Sequence, residues 1–401
     1  MFIKGQRFGL TRKFFPYRSN AVRLLALLCI LYIVLFGLSI RHTSRLPNTI
    51  VVHSNILKYD KVFNKSTGLK ILIWTEFFGR MQWFDHIQQH IKNCNCSCDV
   101  TTDKSQIKSA DVVVFHFLDL YLWTSLPNYR AEHQIWVLYI IEAPPHIHWV
   151  GINVPKLTFN WTMSYRRDSD IIAPYGDFIK MTKSEKEIKR NSTISIFDTK
   201  TKMVASVIGN CVDDARRYYH VRELNKYVKI DQYGDCGNLH CPRSGECNKM
   251  MKSYKFKIAF ENSNCRHYVS EKFWEAIRAD SIPIVNWKPN QVIPAPPNSY
   301  INVHDFKNMK ELGDYLIKIG QDKALYDSYF EWRYNYKLND LADSFASFRS
   351  LCDRLANPTS YQSQVIVDPW KWIEDDTCER WSIRNVIGRR WDRLKHVMQM
   401  T

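Results

Sequence analysis

No glycine-rich phosphate loop of the Walker or G-x-G-x-x-G kind occurs in the 401 residues, which excludes a P-loop NTPase and a dinucleotide-binding fingerprint. No two cysteines stand at C-x2-C spacing, so the strongest zinc signature is missing. Internal repeats are absent as well. Glycine (14) and proline (15) are too scarce for a collagen, and 45% hydrophobic with 24% charged residues is a globular composition, not a disordered one. Acidic residues are absent from positions 1 to 45, where Lys4, Arg7, Arg12, Lys13, Arg18, Arg23, Arg41 and Arg45 supply half of the net charge of +16. The remaining chain mixes acids with bases and lacks the basic stripes of a nucleic-acid-binding domain, so nucleic acid is not an expected partner. Its length suggests two domains or one large one.

Only one apolar run approaches a membrane span: Leu24–Ile40, LLALLCILYIVLFGLSI, 17 residues without a charge. At 1.5 Å per residue it covers about 25 Å, which suits the thinner bilayers of the early secretory pathway. Six Lys/Arg precede it, and the positive-inside rule then leaves residues 1–23 in the cytosol as a basic tail. The expectation is a signal-anchor of a single-pass type II protein. A cleaved signal peptide is the competing reading, disfavoured by the long basic arm and the poor Gly37-Leu38-Ser39 cleavage signal. Ten of the 11 cysteines follow the run, an even number that suits disulfides in an oxidising lumen. Zinc at Cys94, Cys96 and Cys98, or at Cys236, Cys241 and Cys247, is the weaker alternative. Sequons at Asn64, Asn95, Asn160 and Asn191 are candidate glycosylation sites if the body is lumenal.

Residues 41–67 carry no apolar periodicity and read as a stem. Beyond them, LKILIWT (69–75), ADVVVFHF (110–117) and IWVLYIIE (135–142) are short apolar runs of the kind buried parallel strands show, with a helical stretch near 80–92. A charged linker follows, containing KSEKEIKRNST. A second set comprises MVASVIG (203–209), a helix over 213–226, YVKIDQYG (227–234), YKFKIAFE (254–261), a helix over 270–279 and SIPIVNW (281–287). Strands alternating with helices predict an α/β chain of two Rossmann-like domains, 68–190 and 203–345, facing across a cleft. A largely helical stretch and a Trp-rich C-terminal tail, 346–401, close the chain.

The most informative window is YKFKIAFENSNCRHYVSEKFWEAIRADSIPIVNW, residues 254–287. A buried strand ends in Glu261-Asn262-Ser263, a short turn follows, and Tyr268, Glu271, Lys272 and Trp274 open a helix. Strand, polar loop and helix N-terminus in that order can bind an anion, with Lys272 near the positive end of the helix dipole. At these residues the sequence resembles the α1,3-fucosyltransferases of glycosyltransferase family 10, whose signature runs approximately F-x-L-x-F-E-N-S, a spacer, D-Y-(I/V)-T-E-K-(L/F)-W and a (V/I)-P-(V/I)-V strand. FNWTMSYRRDSDIIAPYG (159–176), QYGDCG (232–237), YINVHDF (300–306) and YFEWR (329–333) extend the resemblance over most of residues 69–340. It departs at His267, where the family has Asp, at Ser270 for Thr, in a helix segment one residue short, and at Asn286-Trp287, where Gly is common. These departures bear on pocket shape.

The resemblance implies a GT-B type fold, a Golgi membrane anchor with the body in the lumen, and transfer of fucose from GDP-fucose, with inversion, to the 3-hydroxyl of a GlcNAc in a glycoprotein glycan. It further implies that Asn262, Tyr268, Glu271 and Lys272 line the donor site. Arg217, with Arg216 as the fallback, would join Lys272 in neutralising the pyrophosphate, Tyr175 would sit near the cleft, and Glu142 would be the catalytic base. On the residues alone, Arg217 and Lys272 also read as solvated helix cations, Tyr268 as core, Asn262 as a turn cap, Glu271 as a dipole partner and Glu142 as an exposed salt bridge. His146 and His148 compete with Glu142 as the base. Asp168-Ser169-Asp170 looks like a manganese clamp but follows Arg166-Arg167, so ion pairing within the protein is expected, with no metal site and no required cofactor. Manganese would stimulate only by screening the pyrophosphate. The acceptor is expected to meet aromatic faces around FHFLDLYLW (115–123) and EAPPHIHW (142–149); antenna, LacdiNAc and core GlcNAc all stay open. Two alternatives stand beside this reading: a catalytically silent glycan-binding relative, motivated by His267 and Trp287, and the same fold using another sugar nucleotide.

Overall fold

Largely apolar strands in the first half of the chain and more mixed ones in the second build two parallel sheets. The computed structural model describes residues 68–80, 83–92, 98–120, 124–145, 147, 157–190, 195–213, 215–242, 246–288, 295–339, 344–356, 366, 368–374 and 378. All of these belong to one compact unit, Leu57–Thr401.

The first sheet takes β1 (Leu69–Ile73), β2 (Cys98–Thr101), β3 (Val112–His116), β4 (Ile135–Ile140), β5 (Trp161–Ser164) and β6 (Ile171–Ile172) in the order β2-β1-β3-β4-β5-β6. Every neighbouring pair is parallel. All of β3 and all of β4 are buried, which is why they read as continuous apolar runs rather than alternating ones. A strand pair outside both sheets joins β7 (Phe178–Lys180) antiparallel to β13 (Tyr336–Leu338). The second sheet takes β8 (Lys202–Val207), β9 (Ile230–Tyr233), β10 (Tyr254–Ile258), β11 (Ile282–Val285) and β12 (Ile301–Asn302) in the order β12-β11-β10-β8-β9. It too is parallel throughout. Counted from its own first strand, each sheet runs second, first, third, fourth, fifth, and the first sheet adds a sixth. The order therefore reverses between β1 and β3 and again between β8 and β10. Outside the carboxyl ends of the strands at such a reversal, open α/β sheets form their ligand crevices.

The polar stretch expected as a linker contains a helix, Lys183–Arg190. Its Lys and Glu residues are good helix formers, and Thr182 and Glu185 make a reciprocal cap: Thr182 N donates to Glu185 Oε2 at 2.8 Å and Glu185 N to Thr182 Oγ1 at 3.3 Å. The described part of the C-terminal tail returns to the first sheet. Helix Ser347–Ala356 buries Phe348, Leu351 and Leu355 in the same core as Ile87 and Ile91 of helix Phe84–Ile91. On the opposite face, Ile373 of helix Pro369–Glu374 is buried and Trp370 meets Phe117 edge-on at 4.9 Å between ring centroids.

Disulfides join Cys98–Cys352, Cys211–Cys236, Cys241–Cys247 and Cys265–Cys378. The zinc alternative at Cys236, Cys241 and Cys247 fails because those sulfurs are already bonded, and Cys98 is lost to the other cluster in the same way. Asn160 is corrected as a glycosylation site. It is 2% exposed, and its Oδ1 accepts from Arg130 Nη2 at 2.8 Å and Trp136 N at 2.9 Å, which leaves a glycan no room. Asn64, Asn95 and Asn191, the competing bases His146 and His148, the basic tail 1–23, the run Leu24–Ile40 and the stem 41–67 lie outside the described residues. Among the described residues no helix is long and apolar enough to cross a membrane.

Candidate active site

Glu142 stands two residues past the end of β4, half-buried. Its Oε2 accepts a hydrogen bond from the Tyr268 hydroxyl at 3.2 Å, so a carboxylate of the first sheet meets the signature tyrosine of the second. Tyr175 joins them, donating through its hydroxyl to the Ile141 carbonyl at 2.7 Å. Tyr268 is 1% exposed and packs edge-on against Tyr165 at 4.9 Å and Tyr175 at 6.3 Å. Burial lifts the phenols of Tyr175 and Tyr268 well above the ordinary tyrosine value, and the charge of Glu142 lifts them further. Both therefore stay protonated donors. The turn after Tyr175 requires glycine: a Cβ on Gly176 would lie 2.2 Å from the Trp274 indole. A cavity of about 390 Å³ opens behind this cluster, lined by Tyr165, Arg167, Tyr175, His267, Val269 and Trp274 among others.

The charged part of the site lies at the β8/β10 reversal. Three residues beyond β10, Glu261 is fully buried and caps helix Glu271–Arg278, its Oε1 accepting from Ser270 N at 2.8 Å and its Oε2 from Ser270 Oγ at 2.7 Å. Asn286, at the end of β11, brackets the same residue: its Oδ1 accepts from Glu261 N at 2.7 Å and its Nδ2 donates to Glu261 O at 3.0 Å. Burial pushes the Glu261 carboxyl up, although the Lys272 ammonium stands 3.8 Å away. Lys272 Nζ donates to Ser270 Oγ and to Glu271 Oε1, both at 2.8 Å. Burial opposes its charge, but Glu271 and Glu261 outweigh that and hold the ammonium above the ordinary lysine value. Glu271 keeps an exposed edge and is held low; crowding by protein works against this, and the charge and hydrogen bond of Lys272, with help from Arg217, prevail.

Arg217 opens helix Arg217–Leu224 directly after Arg216, whose φ of +53° turns the chain into it. Its guanidinium is buried against an equally buried Asp213, Nε to Oδ2 at 2.6 Å, and its backbone N–H donates to Asp213 Oδ1 at 3.2 Å. The Asn262 carbonyl accepts from Ala215 N at 3.1 Å, which ties the signature loop to the Arg217 loop. The Asn262 side-chain Oδ1 is buried without a hydrogen-bond partner, as a ligand-facing acceptor would be.

Two family models match this chain: fucosyltransferase, N-terminal over residues 66–176, and glycosyltransferase family 10 (fucosyltransferase) C-term over 197–371. The chain is also 30% identical over 332 residues to α-(1,3)-fucosyltransferase C of Drosophila melanogaster, a match covering 75% of this chain and 77% of that one. The chain belongs to glycosyltransferase family 10, the fucosyltransferases. It is 36% identical over 243 residues to glycoprotein 3-α-L-fucosyltransferase A of the same fly, covering 59% of this chain but only 47% of that longer relative. A solved α1,3-fucosyltransferase with GDP-fucose is 19% identical and covers 74% of this chain and 93% of its own, with a TM-score of 0.46.

In this fucosyltransferase the expected site residues fall into two adjoining groups: Glu142, Tyr175 and Tyr268, then Arg217, Asn262, Glu271 and Lys272. The fallback Arg216 instead lies over the Tyr219 ring at 4.5 Å. The two departures that motivated a silent relative differ in setting. Trp287 is 1% exposed in a core with Phe273 and Tyr300, and His267, at φ +64°, accepts from Arg167 N at 3.3 Å. The D-x-D carboxylates are engaged by the protein: Asp168 by Arg166 and Arg266, Asp170 by Thr162 N and Oγ1 at 2.8 and 3.0 Å. One acceptor-side expectation is corrected. Phe115, Phe117 and Leu120 are fully buried and Leu118 nearly so, because these residues fill the core under the first sheet instead of facing the cleft. Residues 121–123 and 148–149 lie outside the described set.

Glu261, Asn286 and Asp213 support the site and were not picked out from the sequence. Glu261 lies inside the signature itself, as the last polar residue before the loop. Asp213 and Arg217 have the i,i+4 spacing of a helical ion pair, a signal too common to single them out.

Proposed function

We propose that this fucosyltransferase moves fucose from GDP-fucose, with inversion, to the 3-hydroxyl of a GlcNAc residue in a glycoprotein glycan, on an antenna or the core. The observation that carries the reading is the hydrogen bond between Tyr268 and Glu142. It joins a carboxylate of the first sheet to the loop-and-helix segment that carries Lys272, which supports a base acting on the acceptor next to a donor whose diphosphate needs cations. Glu142 takes the proton of the acceptor hydroxyl as that oxygen bonds to C1 of fucose. The bond from C1 to the β-phosphate oxygen breaks, and GDP leaves with its charge met by Arg217 and Lys272. Asp213 and Glu271 hold these cations in place until the pyrophosphate takes them over. Glu271 and Asn262 contact the ribose or fucose hydroxyls, and Tyr175 and Tyr268 close the cleft around the reacting carbon. No metal is required, and manganese acts by screening the pyrophosphate.

The run Leu24–Ile40 anchors the enzyme in the Golgi membrane with its body in the lumen. Four disulfides support an oxidising compartment. The activity is tested by incubating the purified full chain with GDP-fucose and GlcNAc-bearing glycans and following GDP release and product linkage. Release that depends on acceptor, with an α1,3-linked product, is the expected result. Acceptor binding without GDP release from any glycan would replace this reading with that of a silent glycan-binding relative.

A further inference from the structure

With the 115–120 segment buried, the face that meets the acceptor lies elsewhere. Among the described residues the exposed large aromatics are Phe78, Tyr129 and Tyr227, at 50%, 38% and 42%. Tyr129 precedes β4 and Tyr227 precedes β9, so both stand at amino ends of strands, away from the crevices. Phe78 follows β1, at the carboxyl end of the first sheet.

Its backbone is left-handed, with φ +50°, and Gly79 continues at +66°. A bulky residue adopts this conformation only where its surroundings hold it there, as ligand clamps do. The holder is Asp119, 5% exposed, whose Oδ2 and Oδ1 accept from Phe78 N at 2.8 Å and Gly79 N at 2.9 Å. Asp119 Oδ2 also meets His116 Nδ1 at 2.6 Å. The buried imidazole stacks on Phe77 at 4.1 Å and meets the Phe78 ring at 4.9 Å. Asp119, His116 and Phe77 thus fix one residue with an exposed ring. Strands β1, β3 and β4 are neighbours, so the loop after β1 lies two strand spacings, about 10 Å, from the loop that carries Glu142. That is too far for the sugar whose hydroxyl Glu142 deprotonates and within reach of the unit linked to it.

We infer that Phe78 is an acceptor-specificity residue: the apolar face of the sugar next to the fucosylated GlcNAc stacks on its ring. The assignment rests on the fucosyl transfer proposed above, and the experiment keeps the two apart. Phe78→Gly removes the ring and relieves the left-handed strain, so its melting temperature should not fall. In the presence of GDP, the Kd of a galactosyl-GlcNAc disaccharide, read by NMR titration, should rise about 10-fold, the size of a lost stacking contact. The Kd of GlcNAc methyl glycoside and that of GDP should stay at the wild-type values, and Phe78→Tyr should restore disaccharide affinity. Unchanged disaccharide affinity in Phe78→Gly, or an equal loss for both sugars, would overturn the assignment. A wild-type protein that binds the disaccharide through Phe78 yet transfers no fucose would remove the proposed activity while leaving the platform in place.

Discussion

The two sheets share a strand order, yet their carboxyl ends are equipped for different partners. The second concentrates Arg217, Glu261, Glu271 and Lys272 at two loop-to-helix junctions by its reversal point, where each cation already has an acid beside it. The first offers one half-buried carboxylate among tyrosines, with a clamped aromatic two strands away. A nucleoside diphosphate must have its charge neutralised, whereas a neutral glycan needs an apolar face and one well-placed base. On the proposed assignment, the difference teaches that a donor half is built by charge and an acceptor half by shape.

Turnover should separate the halves most sharply. Glu142→Gln removes the proposed base and keeps the Tyr268 contact in shape, so kcat is expected to fall by about 10²- to 10⁴-fold with GDP affinity unchanged. Near-normal turnover at saturating acceptor would mean that the proton goes to another group. Lys272→Met is the matching change in the second half, expected to weaken GDP by about 1.5 to 3 kcal/mol, as for a lost charge-assisted hydrogen bond, while leaving acceptor affinity alone. Calorimetric titration with GDP alone measures it; wild-type affinity would exclude Lys272 from the donor site. Arg217→Ala is a poorer probe, because it would also strand buried Asp213 without its partner.

This asymmetry also explains what the sequence made legible. ADVVVFHF was readable because burial on both faces leaves a continuous apolar run, and YKFKIAFE because its apolar residues alternate with lysines, one of them buried against Glu275. The signature loop was readable because Asn262, Tyr268, Glu271 and Lys272 lie within a single strand-loop-helix unit, with contacts between near neighbours. The tail's return to the first sheet was hidden: nothing local in Leu351 or Ile373 says which sheet they cover. Phe78 was hidden for a related reason. Its conformation depends on Asp119, 41 residues away, and the aromatics that looked available at 115–117 are core.

The junction between the halves offers a smaller effect on stability. Gly176 sits in the turn after Tyr175, and the Trp274 indole it touches is 1% exposed and packed by Phe178 and Phe273. The ring cannot swing away from a Cβ placed 2.2 Å from it. Gly176→Ala should therefore cost about 1 to 3 kcal/mol by overpacking, seen as a lowered melting temperature. An unchanged value would show that the turn yields where the contact says it should not.

The smallest expected effect is a pH dependence confined to the second half. Burial raises the Glu261 carboxyl above its ordinary value of 4.5. A group whose native pKa is raised contributes stability that is fully present below the unfolded value and is lost as pH climbs through the native one, because in that window the native chain holds the extra proton. Glu261→Gln carries no titrating proton, keeps an oxygen for the Ser270 cap, and should flatten this slope. Melting curves of both proteins from pH 4.5 upward check it: wild type should lose ground to the variant as pH rises toward neutrality. A constant difference across the range would mean that Lys272, 3.8 Å away, fully compensates the buried charge. The signature glutamate would then be a permanently ionised part of the donor site, with burial leaving no trace on its titration.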